Sequence, residues 1–236
     1  MHIVLADVDE VAMRSVESEL AERGTSVLPV VCDTSLEASV QSLAQIALER
    51  FGGAHVVCNN AGVVGTGDPW SGPMSAWDWV VGINLYGVVH GIRAFLPIMQ
   101  EQGEGHFVNT ASMAGLIAMP GTAAYNATKS AVVAISEGLR IELKHTGSPV
   151  SVSVLCPGFV RTNLVKGQRD KWQERLGPQP GVTTNPMGAL IEQVVDDGVR
   201  DGIDPDDVAN EVHDAVIADR FWILTHADMR HSPVER

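Results

Sequence analysis

Short apolar runs that do not alternate with polar residues recur along the chain, and amphipathic helical patterns separate most of them. Such runs are typical of parallel strands in a sheet that helices cover on both faces. The predicted strands are MHIVLAD, SVLPVVCD, HVVCNNAG, GHFVNTAS, SVSVLCPG and FWILTHA. The pattern therefore predicts an α/β fold, a doubly wound parallel sheet of about six strands.

Apolar residues at helical spacing predict the connecting helices. These cover residues 9–23, 36–51, 75–99 and 122–145, and a further helix begins at Asp204-Pro205. A chain of 236 residues can form one good core, so we expect a single domain over 1–236. Residues 163–203 are irregular and rich in glycine and proline, which predicts a substrate lid.

Composition narrows the partners and the compartment. A formal charge of −13 disfavours nucleic acid and anionic membrane surfaces as partners. No apolar run approaches the ~20 residues that a membrane span needs, and no secretory signal is evident, so we expect a cytoplasmic protein. Cys32, Cys58 and Cys156 are predicted to be buried reduced thiols. The histidines lack metal-ligand spacing, and no metal site is expected.

Tyr125 and Lys129 lie one helical turn apart in YNATK, so their side chains leave the same face of the predicted helix. A nearby ammonium stabilises a phenolate and lowers the tyrosine pKa. Tyr125 could then exchange a proton with an alcohol or a carbonyl. Alternatively, the two residues are an exposed pair that arose by chance.

Two polar residues strengthen this interpretation. Ser112 follows a predicted strand, where its hydroxyl could hydrogen-bond a substrate oxygen or merely cap the turn. Asn84 lies within an apolar helix, and an amide there needs a hydrogen-bonding reason. It could be functional, or it could be a satisfied core amide or mark a kink aided by nearby glycines.

Together these motifs resemble the short-chain dehydrogenase/reductase family, in its compact single-domain branch with a Rossmann-like sheet. The matching segments are NNAG at 59–62, Asn84-Leu85-x-Gly87, Ser112, Tyr125-x-x-x-Lys129 and PGFVRT at 157–162. They occur in the family's order over nearly the whole chain. The resemblance implies an NAD(P)-dependent oxidoreductase that transfers hydride between nicotinamide and a secondary alcohol or ketone.

The resemblance also implies roles for individual residues. Tyr125 would be the acid/base and Ser112 would orient the substrate oxygen. Lys129 would lower the tyrosine pKa and hold the nicotinamide ribose, and Asn84 would support a water-linked proton path. The implied cofactor-binding residues are Asp7, Asp33, Asn60, Ala61, Gly62, Tyr125, Lys129, Pro157, Gly158, Val160 and Thr162. Among these, Val160 would contact the carboxamide and Thr162 the phosphates.

In this family an acidic residue ending the second strand binds the adenosine ribose and repels a 2′-phosphate. If Asp7 is that residue, NAD is favoured over NADP, although Arg14 could swing in. Asp33 would lie near the adenine, or would be a helix N-cap.

That alignment leaves the first strand, the glycine-rich turn and the first helix of the family without a counterpart. Because the family's first strand is central, we expect two unpaired edges between residues 3–7 and 55–58. The chain is then a shortened form of a working dehydrogenase, or an oligomerising or regulatory remnant that no longer binds dinucleotide. In a third arrangement MHIVLAD occupies the central position itself, and Asp7 has no part in ribose binding.

The substrate and the quaternary structure are predicted less directly. The loop after Ser112 and the lid offer apolar walls that favour a lipophilic alcohol or ketone. The wall residues are Met113, Leu116, Ile117, Met119 and Trp172. The family resemblance also implies a homodimer or homotetramer that forms through the helices at 75–99 and 122–145.

Overall fold

A computed structural model describes residues 1–65, 68–164 and 186–226, with the backbone alone for 186–192. In chain order its elements are β1 (His2–Asp7), α1 (Glu10–Glu22), β2 (Ser26–Val31), α2 (Glu37–Phe51), β3 (Val56–Asn59), α3 (Met74–Val81), a π-helical turn (Gly82–Tyr86), α4 (Gly87–Gln102), β4 (Gly105–Thr110), a 3₁₀ turn (Met113–Gly115), α5 (Ala123–His145), β5 (Val150–Leu155), α6 (Pro186–Arg200), α7 (Pro205–Ile217) and β6 (Trp222–Ile223).

The six strands form two separate parallel sheets. β1 pairs with β2, and the second sheet has the order β3-β4-β5-β6. Within the described part of the chain, nothing pairs with the second edge of β1 or of β3. The predicted break between residues 3–7 and 55–58 is therefore observed. The arrangement with MHIVLAD in the central position is wrong, because β1 pairs with β2 and not with β3.

Side-chain packing and hydrogen bonds join the two sheets. Val4 of β1 and Val57 of β3 pack against the same apolar core. Helix α2 contacts both β1 and α4. The carbonyl of Thr34 accepts a hydrogen bond from His90 Nδ1 at 2.9 Å, and Arg93 forms an ion pair with Glu37. The loop after β2 is thus held against the helix that covers the larger sheet.

The helical run Met74–Gln102 is long and apolar enough, by length and composition, to cross a membrane. The core helix of a soluble protein passes the same test. Here Val88, Phe95 and Met99 are buried in the main core, and α4 packs on β3 and β4. These contacts identify the run as a core helix. The π-helical turn divides it, which a smooth helical prediction over 75–99 does not anticipate.

Two further expectations can be compared with the structure, the burial of the cysteines and the lid at 163–203. Cys32 and Cys156 are buried free thiols as predicted, but Cys58 on β3 is exposed, so the prediction of three buried cysteines is wrong. It was wrong because burial of β3 requires a neighbour on its open edge. The C-terminal part of the predicted lid is helix α6. Residues 165–185, which include Trp172, lie outside the described residues.

Candidate active site

The carboxyl ends of β3 and β4 and the start of α5 meet in one place. Ser112 follows β4 and begins the 3₁₀ turn, where its Oγ accepts a hydrogen bond from the Ala114 N–H at 3.1 Å. The 3₁₀ turn packs against α5. The 3₁₀ turn and α5 approach each other closely at Gly115, where an added Cβ would lie 2.7 Å from the Lys129 carbonyl oxygen. This packing brings Ser112 to the helix that carries Tyr125.

The Ser112 hydroxyl lies close enough to the Tyr125 phenol to affect its pKa. Burial of the phenol raises the Tyr125 pKa above its usual value of 10.0, while the Ser112 hydroxyl lowers it by a smaller amount. The net shift is upward because burial is its largest cause, so the lowering of this pKa by Lys129 stays a prediction. Lys129 Nζ lies over the face of the Tyr125 ring, 5.6 Å from its centroid, and so contacts the ring.

The ammonium group of Lys129 is almost completely buried, with 3% of the residue exposed. Burial lowers its pKa from 10.5 to about 8, with an opposing effect from Cys156. Its Nζ donates a hydrogen bond to the carbonyl of Thr110 at 2.7 Å, and the Thr110 hydroxyl donates to Asn60 Oδ1 at 3.1 Å. Lys129 is thus fixed at the end of β4, so the pair is not an exposed pair that arose by chance.

Asn84 lies in the π-helical turn and is completely buried. Its Oδ1 accepts from the Val63 N–H at 2.8 Å, and its Nδ2 donates to the Val63 carbonyl at 2.8 Å and to Thr128 Oγ1 at 3.3 Å. The side chain is a satisfied core amide, as the simpler interpretation had it. It fastens the loop after β3 to α5, and its placement in a π turn is typical of functional sites.

Three of the other cofactor-binding residues implied by the resemblance have defined contacts, and Gly62 lies beside this group. A Cβ on Gly62 would lie 3.4 Å from Lys129 Nζ and 3.5 Å from Asn84 Oδ1, so glycine leaves room beside the ammonium. Val160 is paired with Ile203, which holds the PGFVRT segment in extended form. The Thr162 hydroxyl accepts from the Leu164 N–H at 3.3 Å.

The two acidic residues lie farther along the same edge, in the smaller sheet. Asp7 ends β1, and its carboxylate accepts from the Asp9 N–H at 2.9 Å. Asp33 follows β2 and accepts from the backbone and hydroxyl of Ser35 at 3.0 and 2.6 Å. These contacts form a tight turn before α2, whose N-cap is Leu36, so the alternative that Asp33 is the helix N-cap is wrong. Arg14 pairs with Glu10 instead of turning toward Asp7.

Two sequence-based expectations about this edge need revision. Met113 and Leu116 are buried in the main core and do not line a substrate cavity, whereas Ile117 is exposed and Met119 is half-buried.

Sequence reasoning also missed His226, whose ring contacts Gly158. It follows the last strand in FWILTHA, and the rule that ligands bind at the carboxyl ends of strands would have singled it out.

The chain is similar to known dehydrogenases. The family model described as short chain dehydrogenase matches residues 1–173. The chain is 37% identical over 229 residues to the 1-deoxy-11-beta-hydroxypentalenate dehydrogenase of Streptomyces avermitilis, covering 96% of this chain and 76% of that protein. It is 31% identical over 229 residues to the CLA biosynthesis dehydrogenase/reductase of Lactiplantibacillus plantarum, covering 97% of this chain and 80% of that protein.

A solved structure is similar over the full chain. It is a short chain dehydrogenase/reductase from Burkholderia phymatum in complex with NAD, 39% identical, with a TM-score of 0.91. The match covers 100% of this chain and 85% of that one.

Proposed function

The chain belongs to the short-chain dehydrogenase family of nicotinamide-dependent oxidoreductases, and we propose that Tyr125 is the acid/base of its reaction. The observation that carries this proposal is the position of the Tyr125 ring next to the buried ammonium of Lys129, with the Ser112 hydroxyl near the phenol. A hydroxyl donor and a phenol on one side of a crevice can both bind an alcohol or carbonyl oxygen.

The proposed roles follow from which hydrogen bonds each group has available. Ser112 orients the substrate oxygen, because its contact with the Pro157 carbonyl is long, at 3.5 Å, and easily exchanged. Tyr125 takes the alcohol proton in oxidation and returns it in reduction. Lys129 stabilises the phenolate that oxidation requires. Asn84 acts by holding Val63, because its side-chain amide is already fully engaged.

The residues present fit a nicotinamide cofactor at one end of the site. When bound, the nicotinamide supplies the carbon that accepts or gives hydride. Lys129 would hold the nicotinamide ribose, Val160 the carboxamide and Thr162 the phosphates. The missing side chain of Gly62 leaves space beside the ammonium. Residues 1–65 contain no glycine-rich turn between a strand and a helix, so the proposal assigns them no pyrophosphate cradle.

Among nicotinamide cofactors we propose NAD. Asp7 places a carboxylate at the end of β1, and its charge disfavours a 2′-phosphate. Arg14, which could offset that charge, is engaged with Glu10. The match to an NAD complex that is 39% identical supports this choice.

The proposed substrate is a lipophilic secondary alcohol or ketone. Ile117 and Met119 are accessible in the loop after Ser112. The dehydrogenase of Streptomyces avermitilis, 37% identical, is named for a hydroxypentalenate, which supports a hydroxylated carbon skeleton as the substrate class.

We propose the cytoplasm as the compartment of this protein, since all three cysteines are free thiols.

We also propose that the protein forms a homodimer or homotetramer through the helices of residues 74–102 and 123–145. Met74, Tyr86 and Ile141 on these helices are large apolar side chains that are more than half exposed. Apolar side chains of this size are common at subunit interfaces.

The experiment is turnover by the purified chain with NAD and a panel of secondary alcohols, followed as NADH absorbance, with NADH binding followed by fluorescence. The chain has two tyrosines, so Tyr125→Phe has a matched control in Tyr86→Phe. We expect Tyr125→Phe to lower kcat by about 10²-fold or more and Tyr86→Phe to retain it. Equal activity of the two variants would contradict the role of Tyr125. Failure of the wild type to bind NADH would favour the oligomerising or regulatory alternative.

A further inference from the structure

The loop Cys156–Gly158 holds the backbone next to Ser112 in place and is itself held by the last strand. Pro157 accepts a hydrogen bond from the Met113 N–H at 2.9 Å, and its carbonyl oxygen lies 3.5 Å from Ser112 Oγ. A displacement of this loop would therefore displace Ser112. A contact that fixes this loop therefore also helps to fix the proposed active site.

The backbone hydrogen bonds between β5 and β6 end just before this loop. The Val154 N–H donates to the Phe221 carbonyl at 2.7 Å, and the Cys156 N–H donates to the Ile223 carbonyl at 2.9 Å. Because donors in a parallel ladder recur every second residue, the next bond would run from Gly158 to Thr225. The Gly158 N–H instead donates to His226 Nδ1 at 3.2 Å.

The imidazole also fills the space beside Gly158. A Cβ on Gly158 would lie 2.9 Å from His226 Nδ1 and Cε1. The Thr225 hydroxyl lies 2.8 Å from the same Nδ1. Since Nδ1 accepts from a backbone N–H, the neutral ring carries its proton on Nε2. The ring therefore replaces a backbone carbonyl as the acceptor at the end of the sheet.

We propose that His226 is a positioning residue of the reaction, which extends the β5–β6 ladder by one bond and thereby fixes Pro157 and Ser112. This inference rests on the proposed function of Ser112 and Tyr125. The following segment has a separate attachment, because the Phe159 carbonyl and the Arg161 N–H bond to Ile203. Loss of the His226 bond would therefore loosen the loop at Pro157 and Gly158 and leave the rest of PGFVRT attached.

The test compares His226→Leu, which removes the acceptor, with His226→Asn, whose Oδ1 can accept in the place of Nδ1. We expect His226→Leu to lower kcat about 10- to 100-fold, since small displacements of positioned groups have effects of that size. His226→Asn is expected to stay within about threefold of the wild type. The exposed His213 on α7 provides the control His213→Leu.

A second measurement does not depend on turnover. The Gly158 amide should be protected from hydrogen exchange in the wild type and in His226→Asn, and unprotected in His226→Leu. The proposal is overturned if His226→Leu keeps the wild-type kcat, if His226→Asn is equally impaired, or if Gly158 is unprotected in the wild type. If neither the wild type nor Tyr125→Phe shows turnover, the proposed function fails. Hydrogen exchange at Gly158 then decides by itself whether the His226 bond exists.

Discussion

The two-stranded sheet and the four-stranded sheet are built from similar apolar runs, but they are buried to different extents. No residue of β1 or β2 is buried, whereas most residues of β4 and β5 are. β4 and β5 have a strand on each side and helices over their faces, whereas β1 has one neighbouring strand among the residues that the structure describes. An apolar run thus specifies a strand, and its neighbours decide how much of it is removed from water.

The residues with proposed functions are also divided between the two sheets. Ser112, Tyr125 and Lys129 are supported by the buried four-stranded sheet, and Asp7 stands on the exposed two-stranded sheet. Groups that must keep close distances lie where packing is dense. The residue proposed to select the cofactor lies where packing is loose. Four predictions follow the comparison, from the largest effect to the smallest.

Removing the buried ammonium should have the largest effect. We expect Lys129→Met to lower kcat about 10²-fold or more, because the phenolate of Tyr125 loses its stabilising charge. The variant should not lose stability at pH 7, since burial lowers the pKa of Lys129 to about 8 and the charged form opposes folding below that pH. Initial rates and thermal unfolding measure the two effects. The exposed Lys144 on the same helix provides the control Lys144→Met, and equal losses in both variants would contradict the prediction.

The same truncation in each sheet should affect stability unequally. Val154 on β5 is completely buried, and Val4 on β1 is half-buried. We expect Val154→Ala to lower the free energy of unfolding by about 2–3 kcal/mol and Val4→Ala by about 1 kcal/mol or less. Urea unfolding measures both values. Equal losses would show that the two sheets are equally well packed, against the comparison made above.

Two histidines sharpen the comparison through pH. His106 on β4 is buried, and its Nε2 hydrogen-bonds Ser153 Oγ at 2.7 Å, whereas His2 on β1 is exposed. Burial lowers the pKa of His106 below its ordinary 6.5, so the unfolded chain binds the proton more readily. The contribution of His106 to the free energy of unfolding is therefore fully present above pH 6.5 and falls as the pH drops below 6.5.

We expect His106→Gln to flatten the fall in unfolding free energy between about pH 7.5 and about pH 5.5, and His2→Gln to leave it unchanged. Urea unfolding at each pH measures the slope. A wild-type slope retained in His106→Gln would remove His106 as its source.

The smallest effect is expected at Asp7. Asp7→Asn removes one charge at the end of β1, and we expect the ratio of kcat/KM with NADP to that with NAD to rise about tenfold. Turnover with NAD should change little, because the proposed catalytic groups stand on the other sheet. An unchanged cofactor ratio would show that Asp7 does not face the adenosine ribose.

Local patterns predicted the elements well. The helices expected at 9–23, 36–51 and 122–145 are found at Glu10–Glu22, Glu37–Phe51 and Ala123–His145. Their apolar spacing and glycine stops are local signals that tertiary contacts did not override. The π-helical turn was not predicted, since it depends on Asn84 reaching Val63 on another segment.

The sequence by itself determined the fold class and the pairing of Tyr125 with Lys129, because these follow from residue spacing along one chain. It also indicated the family, through the resemblance of its motifs. Only the tertiary structure decided that Cys58 is exposed, that Met113 and Leu116 belong to the core, and that burial raises the pKa of Tyr125. It also placed His226 beside Gly158. These properties depend on which segments become neighbours, and exposure, pKa and hydrogen bonding are set by such neighbours.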